Sequence, residues 1–461
     1  MAKISSGTYG KDTIESNSLV TNLLKYPEIA KTIIKQFPQY SMTYFVDGTS
    51  RFAKEDLIGD NKFQWSILGR LNRPSTLTGT FSGGGTPGIG NSAFTVEFEE
   101  NYFNPNDTIR LRDKTLLILI GEPTQTAGGY TFQAKIQTAD AAKFVDPTAL
   151  AAGNTAGKVG TGFTESSERG YENHVYPDWY VNHLSICRKS KSISGSALTD
   201  VTWIENNGQR LWYFTDQVHQ MEEFLYELEK DSWYSETTMD VNGNSTVFDS
   251  NGKPVVKGDG ILRQIDASNV DTYNGLLTEK RITDFLAQLQ LNTGSRGQEW
   301  IVYTGTAGKV AFHEAMKDLV MPGGNLVYDA KVGGKQEIGV DFTSYNAIGS
   351  KITLAHNPIF DDPNLHGGDI DARTGFLNES FRMVFMNMGQ TNGVSNVERK
   401  VKGAGGVNRS MVMKYIEGMV NPFDQKSMSA ANSRDSFTCE MLSESGIIVR
   451  NPLSCGQLLK A

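Results

Sequence analysis

The sequence predicts an α+β chain in which strands outnumber helices and one long helix organises the middle. Three observations carry this. From Asn207 to Trp233, Leu211, Phe214, Val218, Met221, Leu225 and Leu228 recur at alternating spacings of three and four, the stripe of an amphipathic helix. Before it, Phe94, Val96 and Phe98, then Tyr130, Phe132, Ala134 and Ile136, alternate with polar neighbours in the manner of strands. After it, from about residue 299, a buried strand, a helix and a second strand follow in the order of a compact α/β unit.

Composition limits what such a chain can be. Its 461 residues suffice for two or three domains, and 38% hydrophobic with 21% charged residues is compatible with globular order. The net charge is −8 and no block of Lys and Arg occurs, which argues against a dedicated nucleic-acid reader. Cys187, Cys439 and Cys455 lie far apart, without zinc spacing or a disulfide framework, and are expected as reduced, buried thiols. The first residues hold no apolar signal core, and no run approaches the length of a membrane span.

Taken in order, residues 1–60 read as an opening arm. Leu19, Val20, Leu23 and Leu24 form one short apolar stripe that ends before Pro27. Ile29, Ile33, Ile34 and Phe37 form a second that stops at Pro38. Helices this short do not stand alone and are expected to dock on something else. Strands follow in AFTVEFEENYF, TIRLRDKTLLILIGEP and YTFQAKIQT. DAAKFVDPTALAAGNTAGKVGTGF is then a soft Ala/Gly/Thr-rich tip, and YVNHLSICRKSKSISG returns as a strand. This order predicts a two-stranded excursion over about 138–182 that buries little of itself.

The long helix comes next, with Asn206 or Asn207 as its cap and a length of roughly 40 Å. Phe224, Tyr226 and Trp233 lie off its main stripe. VNGN and SNGK carry the Asn-Gly signal of tight turns. LLTEKRITDFLAQLQLNTG is a helix with Ile282, Phe285, Leu286 and Leu289 inward and Gly294 as its stop. EWIVYTG is a strand, and TAGKVAFHEAMKDLV a helix with Phe312, Met316 and Leu319 inward. SFTCEMLSESGIIVRNPLSCGQLL reads as two strands joined at Glu444–Gly446.

Three places invite chemistry. TGTAGKV, Thr304–Val310, stands between a strand and a helix like a phosphate loop. Only Thr306 and Ala307 separate Gly305 from Gly308, and Val310 stands where a magnesium-binding hydroxyl belongs, so a plain strand–turn–helix junction is expected. SGGGTPGIGN opens no helix and reads as a loop. The stretch from His356 to Asp371 gathers two His and four Asp without zincin or calcium-loop spacing, and reads as a solvated loop or an adventitious cation site. There is no GxSxG elbow, and His174, His183, His219, His313, His356 and His366 sit beside no nucleophile pattern. No catalytic residue, cofactor or metal is expected.

Arm, strands, soft ribbon, returning strand, long helix, hairpins, α/β unit and closing strands together resemble the major capsid proteins of tailed bacteriophages, built on the Hong Kong 97-type fold. The telling pieces are the run from RKSKSISGSALTDV through NGQRLWYFTDQVHQMEEFLYELEKDSWYSE, the GDGILRQI segment, and the closing SESGIIVRNPLS. GRLNRPSTLTG and FEENYFNPND are most similar to capsid proteins of crAss-like gut phages. The resemblance implies an N-terminal arm at 1–60 and a peripheral domain at 61–300. That domain would hold an extended β-ribbon loop (about 138–182) and a spine helix (about 207–233). An axial α/β domain at 301–435 and return strands at 436–461 complete it.

It also implies a non-enzymatic protein whose copies form hexamers and pentamers of an icosahedral virion shell, assembled in the host cytoplasm. Partners would be the portal, auxiliary head proteins and packaged double-stranded DNA held by non-specific contact, with no membrane. Some relatives weld subunits through a Lys–Asn bond. The ribbon holds Lys143 and Lys158, but no pattern carries the bond over. Many relatives begin with a cleaved scaffolding segment, which the short opening arm does not suggest. An encapsulin-like bacterial compartment and an α/β enzyme with a β-rich insertion remain the other readings.

Overall fold

The computed structural model describes residues 54–461 except 70–73, 166, 168–169, 173, 175, 200, 207–208, 294–298, 321–343, 392 and 423–429. The two apolar stripes of the arm, the cap at Asn207 and the stop at Gly294 lie outside the described residues, as do the side chains of Leu211, Phe214 and Leu319, which the periodicity also turns inward. The chain divides into two compact units, residues 66–179 and the remainder.

Strands β1 (Lys54–Ile58) and β2 (Lys62–Ile67) lead in. The 66–179 unit is a closed barrel of six strands: β3 (Ser75–Phe81), β4 (Phe94–Phe98), β5 (Asp107–Arg110), β6 (Leu116–Gln125), β7 (Tyr130–Ile136) and β8 (Thr155–Thr161), in the order β3-β4-β7-β6-β5-β8. The period-two alternation fixes the register. Phe94 pairs with Ala134 and Val96 with Phe132, so both strands turn the same set inward. Phe98 meets Phe103 and Phe132 edge-on at ring-centroid separations of 5.0 and 5.8 Å.

The expected two-stranded excursion is corrected here. Val145, Ala149, Leu150 and Ala156, all within the soft stretch, are buried in the barrel core. Strand β8 closes the barrel between β3 and β5. Small residues allow this, because Ala149 and Ala156 take little space in the core that also holds Leu77, Ile109 and Leu111.

The other unit is built on two sheets. Its strands are β9 (Asp178–His183), β10 (Ser185–Ser194), β11 (Val201–Asn206) and β12 (Gln209–Leu211), then β13 (Val270–Tyr273), β14 (Glu299–Thr304), β15 (Ser344–Ala347), β16 (Ser350–His356) and β17 (Met383–Met386). The hairpin β18 (Gln390–Thr391) and β19 (Val394–Ser395) follows, then β20 (Val397–Ala404), β21 (Val407–Asn408), β22 (Val412–Glu417), β23 (Ser436–Val449) and β24 (Gly456–Lys460). Its helices are α1 (Gly195–Thr199), α2 (Trp212–Tyr234), α3 (Ile261–Gln264), α4 (Glu279–Thr293) and α5 (Thr306–Val320).

One sheet runs β1-β20-β23-β10, with β22 also on β23 and β21 on β20. The other runs β13-β24-β17-β14-β16-β15. Helices α4 and α5 cover the second sheet through Ile282, Phe285, Leu286, Leu289, Phe312 and Met316, the inward residues that the periodicity marks. The expected boundaries at 300/301 and 435/436 do not follow the sheets. Strand β13, helix α4 and the terminal β24 join the α/β sheet, whereas β20 to β22 join the sheet of the closing strand.

Two further expectations change. Residues 436–449 form one continuous strand rather than two, pairing with β10 and β22 along one half and β20 along the other. Gly446 marks close packing there instead of a turn: a Cβ would come within 3.0 Å of the His183 carbonyl oxygen. The long helix begins at Trp212, because Val201–Asn206 and Gln209–Leu211 pair as a hairpin just before it. Its inward face carries Gln220, Phe224, Leu228 and Trp233, while Val218 and Met221 of the expected stripe are 46% and 40% exposed. Periodicity gives the width of an apolar face; the sheet and loops packed on it decide which residues lie at its centre. The VNGN and SNGK turns are found, closed by Gly243 N–H to Asp240 and Gly252 N–H to Asp249.

Candidate functional site

At the junction Thr304–Val310 the first turn of α5 is capped by a side chain. The anion at the start of α5 is supplied by the chain itself. Asp361 accepts the Thr306 backbone N–H at 3.0 Å on each oxygen and the Thr306 hydroxyl at 2.7 Å. His356 Nε2 lies 2.8 Å from the same carboxylate. Ser380 donates its hydroxyl to Asp361 and accepts the Ala307 N–H at 2.9 Å. Burial alone would raise the Asp361 pKa, but the hydrogen bonds from His356, Ser380 and Thr306 outweigh it and hold the group below the usual carboxylate range. Gly308 lets the first turn lie close: a Cβ there would meet the Thr304 hydroxyl at 1.9 Å.

The same cluster contains a carboxylate, an imidazole and a hydroxyl, the residue types of a nucleophilic triad. Its geometry is that of a cap. Ser380 is 2% exposed, and both its donor and an acceptor position are taken. The imidazole Nε2 lies 2.8 Å from the carboxylate and 3.3 Å from the Thr306 hydroxyl, both of which belong to the cap.

The rest of the His/Asp stretch is divided among local tasks. Asp362 accepts the Tyr226 hydroxyl at 3.0 Å, and His366 Nε2 sits 2.9 Å from the Ile359 carbonyl. Asp371 pairs with Lys460 at 2.7 Å and caps Thr374, and those hydrogen bonds hold its pKa at about 2. Among the described residues no group of three or more His, Cys, Asp or Glu could hold a metal ion. Cys439 and Cys455 are buried and Cys187 is half-buried, all three free, and burial pushes each thiol's pKa up.

Charged surface on the long helix is partly spent within the chain. Lys189 on β10 bridges Glu223 and Glu227, each at 2.8 Å. Inside, β20 brings charges under cover. Glu398 and Lys400, 7% and 8% exposed, pair at 3.0 Å; Lys400 also reaches Asp56, and Arg450 reaches Glu398.

Sequence reasoning missed a groove in the barrel unit. Arg110, Arg112 and Lys114, at and beyond the end of β5, line a concavity of about 710 Å³ together with Asn154 and with Gly157 and Lys158 of β8. The signal was present in TIRLRDK, but nothing in the sequence told that residues 153–159 pair alongside it. Lys158 is occupied, 2.8 Å from the buried Asp107. Arg112 donates to Asn154 at 3.2 Å. Lys143 is exposed, well apart in sequence from that run.

No helix among the described residues is long and apolar enough to cross a membrane. Compared with known proteins, residues 3–461 match the model of the family described as Crassvirus major capsid protein. No curated relative matches the chain. Among solved structures it is similar to a chain of Mycobacterium phage Cain, at 8% identity and a TM-score of 0.40 over 98% of this chain and 99% of that one. It is similar to the capsid of an empty GTA particle at 9% identity and 0.39, over 97% and 100%. It is also similar to the SrpI encapsulin of Synechococcus elongatus at 10% and 0.32, over 62% and 75%. Likenesses this loose decide neither the fold nor the role of any residue.

Proposed function

The chain belongs to the Crassvirus major capsid protein family, and we propose that its copies form hexamers and pentamers that close into the icosahedral head around double-stranded DNA. The observation that carries this reading is the family match along nearly the whole sequence. It favours a phage shell over a bacterial compartment. The Asp361 cluster supports a non-enzymatic role, since its groups cap a helix.

In this reading the arm at residues 1–60 docks on a neighbouring copy, and the barrel unit (66–179) and the two-sheet unit each contribute contacts to the ring. Identical copies need contacts that repeat and close. The portal and auxiliary head proteins complete the head, and packaged DNA is held by non-specific contact. An overall charge of −8 suits a container that must release its genome. Sedimentation of the purified chain tests the reading: particles far heavier than the 50.7 kDa chain are expected, and a monomer at every concentration contradicts it.

A further inference from the structure

The basic groove of the barrel is only partly engaged within its own chain. The side chains of Arg110 and Lys114 are exposed, and no ion-pair partner for either is found among the described residues. Two carboxylates lie close by in sequence, and both are engaged. Asp107 is buried against Lys158, and Asp113 accepts the Thr115 N–H at 2.9 Å and its hydroxyl at 2.7 Å. Three cations therefore rim a concavity whose floor is opened by Gly157, directly across the ladder from Arg110. A Cβ at Gly157 would meet nothing within 4 Å.

We infer that this groove is a docking site for an acidic segment of a second copy of the chain; the inference rests on the shell reading above. Charge complementarity argues for it. The chain carries 52 acidic against 44 basic residues, so each further copy brings a net charge of −8 to a basic pocket. Shape argues against duplex DNA. A concavity of about 710 Å³ admits a few side chains, whereas a duplex presents its phosphates on a convex cylinder roughly 20 Å across. Arginine suits carboxylates because its planar fork grips both oxygens. A contact between the groove of one copy and a different surface of the next is heterologous, the kind that closes into rings.

The experiment uses the full-length chain, assembled without nucleic acid from equal parts of unlabelled and heavy-nitrogen-labelled copies. A carbodiimide then joins amines to carboxylates in direct contact. Peptides in which Lys114 is linked to an Asp or Glu of the other isotope are expected, while Lys158–Asp107 links stay within one copy. Arg110→Glu with Arg112→Glu should slow assembly at least tenfold at low salt and remove its salt dependence. Should that pair disturb the barrel, Gly157→Glu places a carboxylate in the open groove and should slow assembly similarly. Shells in which Lys114 is unlinked, or linked only within its own copy, overturn the inference and leave the shell reading intact. So does wild-type assembly by the variants with loss of binding to a short DNA duplex, which assigns the groove to phosphate. Absence of any particle contradicts the shell reading itself.

Discussion

The carboxylate of Asp361 and the backbone of Thr306, 55 residues apart, meet at 3.0 Å, so a remote aspartate does the work of an N-cap for α5. Asp361→Ala should therefore cost roughly 2–4 kcal/mol, a cap plus the hydrogen bonds of Ser380 and His356 that it leaves unanswered. Thermal or denaturant unfolding of soluble subunits measures this. A loss below about 0.5 kcal/mol, the range of ordinary surface changes, would show that the helix start needs no such anion.

The pH dependence has a definite sign. Because the folded Asp361 sits below its ordinary value, its contribution is complete above the unfolded carboxylate range, about pH 3.9. It is lost as pH falls through the lower folded value. Asp361→Asn should flatten the acid limb of the stability profile and leave the neutral and alkaline side parallel to wild type.

Two glycines should respond differently. Gly308→Ala puts a methyl 1.9 Å from the Thr304 hydroxyl and should destabilise by about 1–3 kcal/mol, despite the better helix propensity of alanine. Gly157→Ala meets only open space and should be neutral within about 0.5 kcal/mol. Equal effects would mean that the close approach at Gly308 relaxes freely.

The buried charges on β20 depend on one another. Glu398→Gln leaves Lys400 and Arg450 without their shared carboxylate and should cost roughly 3–5 kcal/mol. Replacing Glu398 and Lys400 together by apolar residues should recover part of that loss. A double variant as unstable as the single one would contradict this account of the network.

Much of the fold was legible from local pattern. The periods of α4, α5, β4 and β7 name the residues that turn inward, because burial on one face leaves its mark within each element. What was not legible depends on distant pairing. The barrel closes only because β8 lies against both β3 and β5, and a run such as AAGNTAGKVGTG carries no trace of its partners. The long helix shows the same limit: Phe224 is buried and Val218 exposed, since the elements it packs on choose the face. The Asp361 cap could not be read because its two halves lie far apart in sequence.

The corrected barrel makes a prediction of its own. Amides of Thr155–Thr161 should exchange slowly in free subunits, since β8 is paired within its own chain. Fast exchange before assembly, with protection only in particles, would restore the picture of an excursion ordered by its neighbours.

The central claim is that identical copies of this chain close into a shell. Electron cryomicroscopy of particles grown from the purified full-length chain tests it most directly. The account predicts closed shells with fivefold vertices and hexameric faces. Open filaments, disordered aggregate or isolated monomers at every concentration and salt would contradict it.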